Sequence, residues 1–395
     1  MNSKKVQRIE SIYISKKATK DDNALFNLLS LYSIIGILRS TNLNFYSWES
    51  ISQILQLLCL LFSTFFILRK AYNNKLKMNL FAAILLFCGI MEVFTSKHTF
   101  MLGFSIFYIG LSTYDFKKMI NRFTKVLVCT FIFIEFLVFV HIIPMGYASR
   151  ETLTRLCFGF KTSTLPLSLL FFILLGYLYV KRERANVLVL LIGLALALLL
   201  HHYTDSRTGF YGSVFLIFLA LIDKTRIFKK IFRWIKKHGF LRTVAELMPI
   251  LIFIFDCVLI YIYSFMSPLS FMLNSMLSTR LSLTYDIILN YRIMLFGQYI
   301  PSTVNGVYSQ TDICYFFYLM NYGLATLLLT IIMEITCIYK SFKTNDRWLL
   351  IVMILILFDG IVEPYLLDYK YQLFTLASAS LLMPQKHKIY KLIKV

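Results

Sequence analysis

The chain has 395 residues, 58% of them hydrophobic and only 15% charged, with a mean hydropathy of +0.70. Soluble proteins are roughly half apolar and a quarter charged, so these figures exclude a disordered chain, a collagen-like repeat and a secreted disulfide scaffold, and they point to the bilayer as solvent. The 41 Lys and Arg against 20 Asp and Glu, net +21, would suggest nucleic acid unless the charges sort to one side of a membrane, as basic residues of cytoplasmic loops do.

Twelve apolar runs follow in chain order, at 24–38, 51–68, 78–94, 99–114, 126–143, 163–180, 187–203, 210–222, 247–265, 313–338, 348–362 and 371–384. A spanning helix takes about 20 residues, so the first, fourth, eighth, eleventh and twelfth are short. The first 23 residues are polar, without an apolar core or small-residue cleavage site, and no cleavable signal peptide is expected. Lys4, Lys5, Arg8, Lys16, Lys17 and Lys20 place the N-terminus inside. Alternation then puts Arg69/Lys70, Lys117/Lys118, Lys181/Arg182, the basic stretch 223–242, Lys340/Lys343 and the tail Lys386–Lys394 on the same side, with nine basic residues left outside. The asymmetry predicts an all-α integral membrane protein of the cell membrane, one polytopic domain over 1–395 with about twelve transmembrane helices and both termini cytoplasmic. It removes the case for nucleic acid.

Seven cysteines, odd in number and never in CxxC spacing, predict buried small hydrophobes rather than disulfides or zinc. There is no Walker A motif, GxGxxG, HExxH or internal repeat, which disfavours an ATP-driven pump. Neither cofactor nor metal is expected.

The outer segments carry the chemistry. The longest is 266–312, and the nine outer basic residues (Arg39, Lys97, Arg150, Arg155, Lys161, Arg207, Arg280, Arg292 and Lys370) are mostly arginine. Guanidinium binds phosphate oxygens bidentately; the plainer alternative is snorkelling, or pairing with Glu151, Asp205 and Asp286. Arg207 lies in His201-His202-Tyr203-Thr204-Asp205-Ser206-Arg207-Thr208-Gly209-Phe210, a link too short to leave the membrane boundary, where charged groups are functional candidates. An Asp205–Arg207 pair that only caps the turn is the competing reading. Within spans, Glu92, Glu135, His141, Asp256, Glu334 and Asp359 have structural roles as their commoner use.

The string Thr204–Phe210 resembles the S-R-T/S-G element of bacterial Wzy-type polysaccharide polymerases, relatives of the O-antigen polymerases and ligases. Ser278-Thr279-Arg280-Leu281 followed by Ile293-Met294-Leu295-Phe296-Gly297 is similar to their outer-loop pattern. Thr311-Asp312-Ile313-Cys314-Tyr315 with Asn321-Tyr322-Gly323 resembles the entry to the next helix, and Ile361-Val362-Glu363-Pro364 the late outer glutamate. These elements keep the family order over about 150–365. The loop at Arg155–Thr164 departs from it, since Lys161 stands near the place of a histidine, and no catalytic role for that histidine carries over.

The resemblance implies a GT-C-like fold and a metal-independent membrane glycosyltransferase that polymerises undecaprenyl-diphosphate-linked repeat units into a capsule or exopolysaccharide on the outer face. Lipid-linked glycans are then donor and acceptor, and the bilayer and other polysaccharide assembly proteins are partners. Arg207, Arg280, Arg155 and Arg292 would bind the diphosphate leaving group. Asp312, Glu363, Asp205 and His202 are candidates for the base that takes the acceptor proton. A flippase of lipid-linked oligosaccharide is the alternative, though transporters show repeated halves and midplane charges. Finally, 277–296 lacks Gly and Pro and predicts an interfacial helix with Leu277, Leu281, Thr284, Ile287, Ile288 and Met294 on one face, Arg280 near its centre and Arg292 on the polar edge. Arg280 then needs a carboxylate or a diphosphate as partner.

Overall fold

In a medium without water each spanning segment must satisfy its own backbone, so long apolar runs become helices. The computed structural model describes residues 20–43, 47–73, 76, 78–150, 153–223, 227–301, 303–304, 307–308, 310–365 and 367–383; the basic residues before Lys20 and after Met383 lie outside these. The helices α1 (Lys20–Arg39), α2 (Trp48–Tyr72), α3 (Leu80–Ser96), α4 (Phe100–Leu111), α5 (Phe116–Phe139), α6 (Leu165–Lys181), α7 (Val187–Thr204) and α8 (Arg207–Asp223) take the first eight apolar runs in order. After two short helices, α9 (Ile227–Lys237) and α10 (Gly239–Glu246), come α11 (Met248–Ser264), α12 (Pro268–Met276) and α13 (Arg280–Asn290). The last are α14 (Cys314–Phe317), α15 (Gly323–Thr344), α16 (Arg347–Asp359) and α17 (Ala379–Leu382).

The chain is mostly helical. Four segments, Trp48–Tyr72, Leu165–Arg184, Val187–Thr204 and Cys314–Thr344, are long and apolar enough to cross a membrane, and Gly239–Glu246 with Met248–Ser264, bent by 59°, makes a fifth if taken as one. α6 and the α14–α15 segment are central, with 72% of their apolar windows buried, against 28% for α2 and α7. The outward sides of α2 and α7 are apolar instead: Leu61, Phe65, Leu68, Leu191 and Leu198 are exposed. That inversion suits a lipid-facing rim.

Ion pairs tie the helix ends at one end of the bundle. The buried Lys70 ammonium donates to Asp22 (2.7 Å), the Gly110 carbonyl (2.6 Å) and Thr113 (2.8 Å). Arg347 pairs with Asp223 at 2.8 Å and Arg182 with Asp346 at 2.6 Å.

The structure corrects two expectations. The twelfth apolar run is not a helix across the bundle. From Glu363 the chain passes to the opposite end through irregular backbone, a 3-10 turn (Phe374–Ser378) and the four residues of α17. Side chains replace the helical bonds: the buried Ser33 donates to the Tyr369 carbonyl (3.3 Å), and the half-buried Lys340 and Asn79 to Ala377 (2.8 Å) and Leu382 (2.5 Å). The helix expected over 277–296 shrinks to α13. Ser278 and Thr279 both sit in the left-handed region (φ 57° and 66°) and stop it on one side, and Tyr291 turns extended on the other. Its stripe Leu281, Thr284 and Ile287 is buried, and α13 packs on α11.

The same departure explains the glycines at 297 and 323. The residues before Gly323 form a π-helical turn (Tyr318–Tyr322), and the amides of Leu324 and Ala325 donate to Met294 and Leu295 (both 3.0 Å). Both glycines have positive φ, and a Cβ on Gly323 would come within 2.2 Å of the Gly297 nitrogen. Only glycine fits that approach.

Candidate functional site

At the end of the bundle away from those ion pairs, a cavity of about 530 Å³ opens between the start of α6, the α7–α8 turn, the start of α13 and the segments before α14 and after α16. Its lining brings Arg155, Asp205, Arg207, Arg280, Asp312 and Glu363 together from segments far apart in sequence. Two groups face each other. Arg155 comes from an antiparallel hairpin, β1 (Tyr147–Arg150) with β2 (Leu153–Leu156), in which it stands opposite Ala148. Its Nη2 donates to Asp205 at 2.5 Å. Asp205 terminates α7 in the left-handed conformation (φ 47°), and the Ser206 amide donates to Thr204 Oγ1 (3.3 Å), so the turn projects Asp205 and Arg207 to the same side. Arg207, at 4.0 Å from Asp205, keeps 54% of its side chain exposed and is the least committed of the three arginines.

The second group centres on Arg280. Its Nη2 donates to Glu363 at 2.8 Å, and its Nε lies 3.7 Å from Asp312. The partner that sequence reasoning demanded for Arg280 is thus present as protein carboxylates. The reason Arg280 turns inward is its place at the first helical position of α13, on the side of the buried Leu281 and Thr284. The Thr284 hydroxyl shares a 2.5 Å hydrogen bond with Thr311, fixing α13 to the irregular segment that carries Asp312. The Nε–H groups of Arg155 and Arg280 are buried without a hydrogen-bond acceptor among the described residues, which leaves donors for an anionic group.

Burial pushes the Glu363 carboxyl up to about 7, with Asp312 adding to the rise and Arg280 opposing it. A carboxyl poised there exchanges a proton readily at neutral pH. The cavity's three arginines nearly balance its carboxylates, and protonating Glu363 tips it positive.

Two of the eight expected site residues stand apart. His202 is exposed on the outer side of α7 with its ring against Tyr203 (5.0 Å), about 100° round the helix from His201. His201 itself stacks on Phe210 (4.2 Å) and bonds the Ser206 carbonyl through Nδ1 (3.1 Å), bracing the turn. Arg292 lies past the end of α13, exposed, outside the cavity. Thr162, Thr164 and Tyr365 in the lining are not among the residues expected from the sequence; the Thr-Ser-Thr run before a helix is a signal for the two threonines, and Tyr365 has only its place two residues after Glu363.

Thr162 also lines a neighbouring cavity of about 480 Å³, where Arg39, Lys161 and Lys370 meet Tyr32, Phe100 and Tyr322. Three of the cations expected outside thus gather beside the first site. Lys161 carries no ion pair among the described residues, whereas Arg39 is held by Glu49 (3.3 Å) and Lys370 by Asp368 (3.1 Å).

No family model matches the chain, and no curated protein or solved structure matches it either.

Proposed function

We propose that the protein is a membrane glycosyltransferase that joins lipid-diphosphate-linked saccharide units on the extracytoplasmic face, a polysaccharide polymerase of the Wzy type. One observation carries this reading: three arginines and three carboxylates from five separate segments converge on one cavity at a bundle end. Glycosyl transfer from a diphosphate needs both. As the acceptor hydroxyl attacks the anomeric carbon, the bond to the phosphate oxygen breaks and charge grows on the leaving diphosphate. Arg207, exposed, meets it first, and the spare donors of Arg155 and Arg280 lie behind. The proton leaving the acceptor oxygen goes to a carboxylate, for which Glu363 is the better placed by its value near 7, with Asp312 beside it. The adjoining aromatic and cationic cavity holds the acceptor saccharide, whose apolar ring faces pack on Tyr and Phe.

The membrane arrangement belongs to the same proposal. The chain passes between the two bundle ends twelve times with both termini cytoplasmic, the last pass being the irregular one after Glu363. Irregular backbone at membrane depth is tolerated where protein buries it, and residues 367–369 and 371–379 are buried.

Purified protein reconstituted with undecaprenyl-diphosphate-linked repeat units should yield a ladder of longer glycans. Movement of the units across the bilayer without elongation would overturn the reading in favour of a transporter.

A further inference from the structure

The end of the bundle away from the cavity carries a helix that the proposed chemistry does not use. α9 runs Ile-Phe-Lys-Lys-Ile-Phe-Arg-Trp-Ile-Lys-Lys, and at about 100° per residue its apolar and basic side chains fall on two sides. The apolar side is wider than the protein covers. Phe232 is buried in a stack on Phe342 (5.5 Å), and Phe228 and Ile235 are half-buried. Ile231 and Trp234, next round the helix, stay open, Trp234 at 55% exposure, and Phe240 beyond them is more exposed still.

The basic side divides similarly. Lys229 pairs with Glu183 (2.8 Å) and Lys236 donates to Asn345. Lys230, Arg233 and Lys237 are exposed and meet no carboxylate among the described residues; the Arg233 Nε is spent on the Lys229 carbonyl at 3.1 Å, leaving its terminal nitrogens outward. Arg233 also borders a cavity of about 460 Å³ shared with Lys229, Phe232, Asn345 and Arg347.

Height matters as much as composition. α9 follows α8, stacks Phe232 on Phe342 near the end of α15 and pairs Lys229 with Glu183 just past the end of α6, and α6, with 17 residues, sets it about 25 Å from the cavity. That is close to the depth of the hydrocarbon layer. Water on this side would leave Ile231 and Trp234 uncovered; a bilayer boundary takes apolar side chains and neighbouring cations together. We infer that α9 is a binding site for anionic phospholipid, with Ile231 and Trp234 entering the acyl boundary while Lys230, Arg233 and Lys237 hold headgroup phosphates of the leaflet opposite the cavity. This rests on the chain being a membrane protein and is independent of glycosyl transfer.

The test uses the full chain in phosphatidylcholine nanodiscs holding a minor fraction of phosphatidylglycerol, with one lipid or the other brominated on its chains. The Trp234 component is the fluorescence lost in Trp234→Phe, which retains Trp48 and Trp348. Brominated phosphatidylglycerol should quench that component more than brominated phosphatidylcholine at equal mole fraction. Lys230→Gln, Arg233→Gln and Lys237→Gln, all surface changes, should each reduce the preference, by up to about fivefold at low salt, and high salt should erase it. Equal quenching by the two lipids would overturn the site as one for anionic headgroups. Quenching by neither would take the face off the bilayer and give it to a protein partner.

Discussion

Removing Arg280 should produce a loss of stability that grows with pH. Glu363 stands at about 7 in the folded protein against an ordinary 4.5, so between those values the folded state holds a proton the unfolded chain has released. Folding therefore gains from this group at low pH and loses roughly 3 kcal/mol as pH rises from about 4.5 through 7. In the wild type the loss ends near 7 because Arg280, 2.8 Å away, accepts the carboxylate as a partner. In Arg280→Ala the carboxylate, with only 5% of its side chain exposed, has no such partner and its value moves higher. The gap between variant and wild type should be small at pH 5, where Glu363 is protonated in both. Above pH 7 it should widen by up to ~1.4 kcal/mol per pH unit, towards the ~3–5 kcal/mol typical of a broken buried pair. Thermal midpoints of the detergent-solubilised proteins across pH 5–9 measure this, and Arg280→Ala/Glu363→Gln should remove the extra slope. A midpoint shift that is the same at every pH would refute the reasoning, since it would mean Arg280 acts through packing alone.

Arg207→Ala should abolish elongation in the reconstituted assay while leaving the thermal midpoint within about 1 kcal/mol of wild type, because its side chain is half exposed; Arg207→Lys should recover little, as ammonium lacks the bidentate fork. Normal-length product from Arg207→Ala would reduce the residue to a turn cap. His202→Ala and Arg292→Ala, both outside the cavity, should keep elongation within a fewfold of wild type, and a complete loss in either would move the reaction centre away from this cavity. Gly323→Ala should cost at least ~2 kcal/mol from its left-handed backbone and its contact with Gly297, measured as a lowered midpoint and faster proteolysis of the 291–301 segment. In a cysteine-free variant, Asn290→Cys and Lys343→Cys should label from opposite sides of intact cells; labelling from one side would break the twelve-pass arrangement.

The helices were legible because each long apolar run has one way to satisfy its backbone in lipid, and α1 to α8 fall where the hydropathy puts them. The cavity residues were legible for the opposite reason: Arg155, Arg207, Arg280, Asp312 and Glu363 interrupt a chain that otherwise avoids charge, and they sit at segment ends. Turn geometry escaped the sequence. Nothing in Ser278-Thr279 announces two successive left-handed residues, so the sequence predicts a helix that runs through them from Leu277, whereas the helix begins at Arg280. The pair His201-His202 does not tell which side of α7 faces the cavity, and Arg292 lies two residues past the end of the helix expected to hold it. The final apolar run, 371–384, has the composition of a span but lacks its conformation. Its carbonyls are taken by Lys340, Asn79 and Cys337, partners that hydropathy does not register.

The irregular segment after Glu363 also bears on how the protein is assembled. A segment whose backbone relies on Ser33, Asn79, Lys340 and Cys337 has no stable form in lipid until those residues stand around it, and they come from α1, α3 and α15. It therefore has to be laid into a groove that those helices have already assembled. Glu363 leads directly into that segment, so seating the segment and completing the carboxylates of the cavity are one assembly step, and a partly built chain carries the arginines without Glu363.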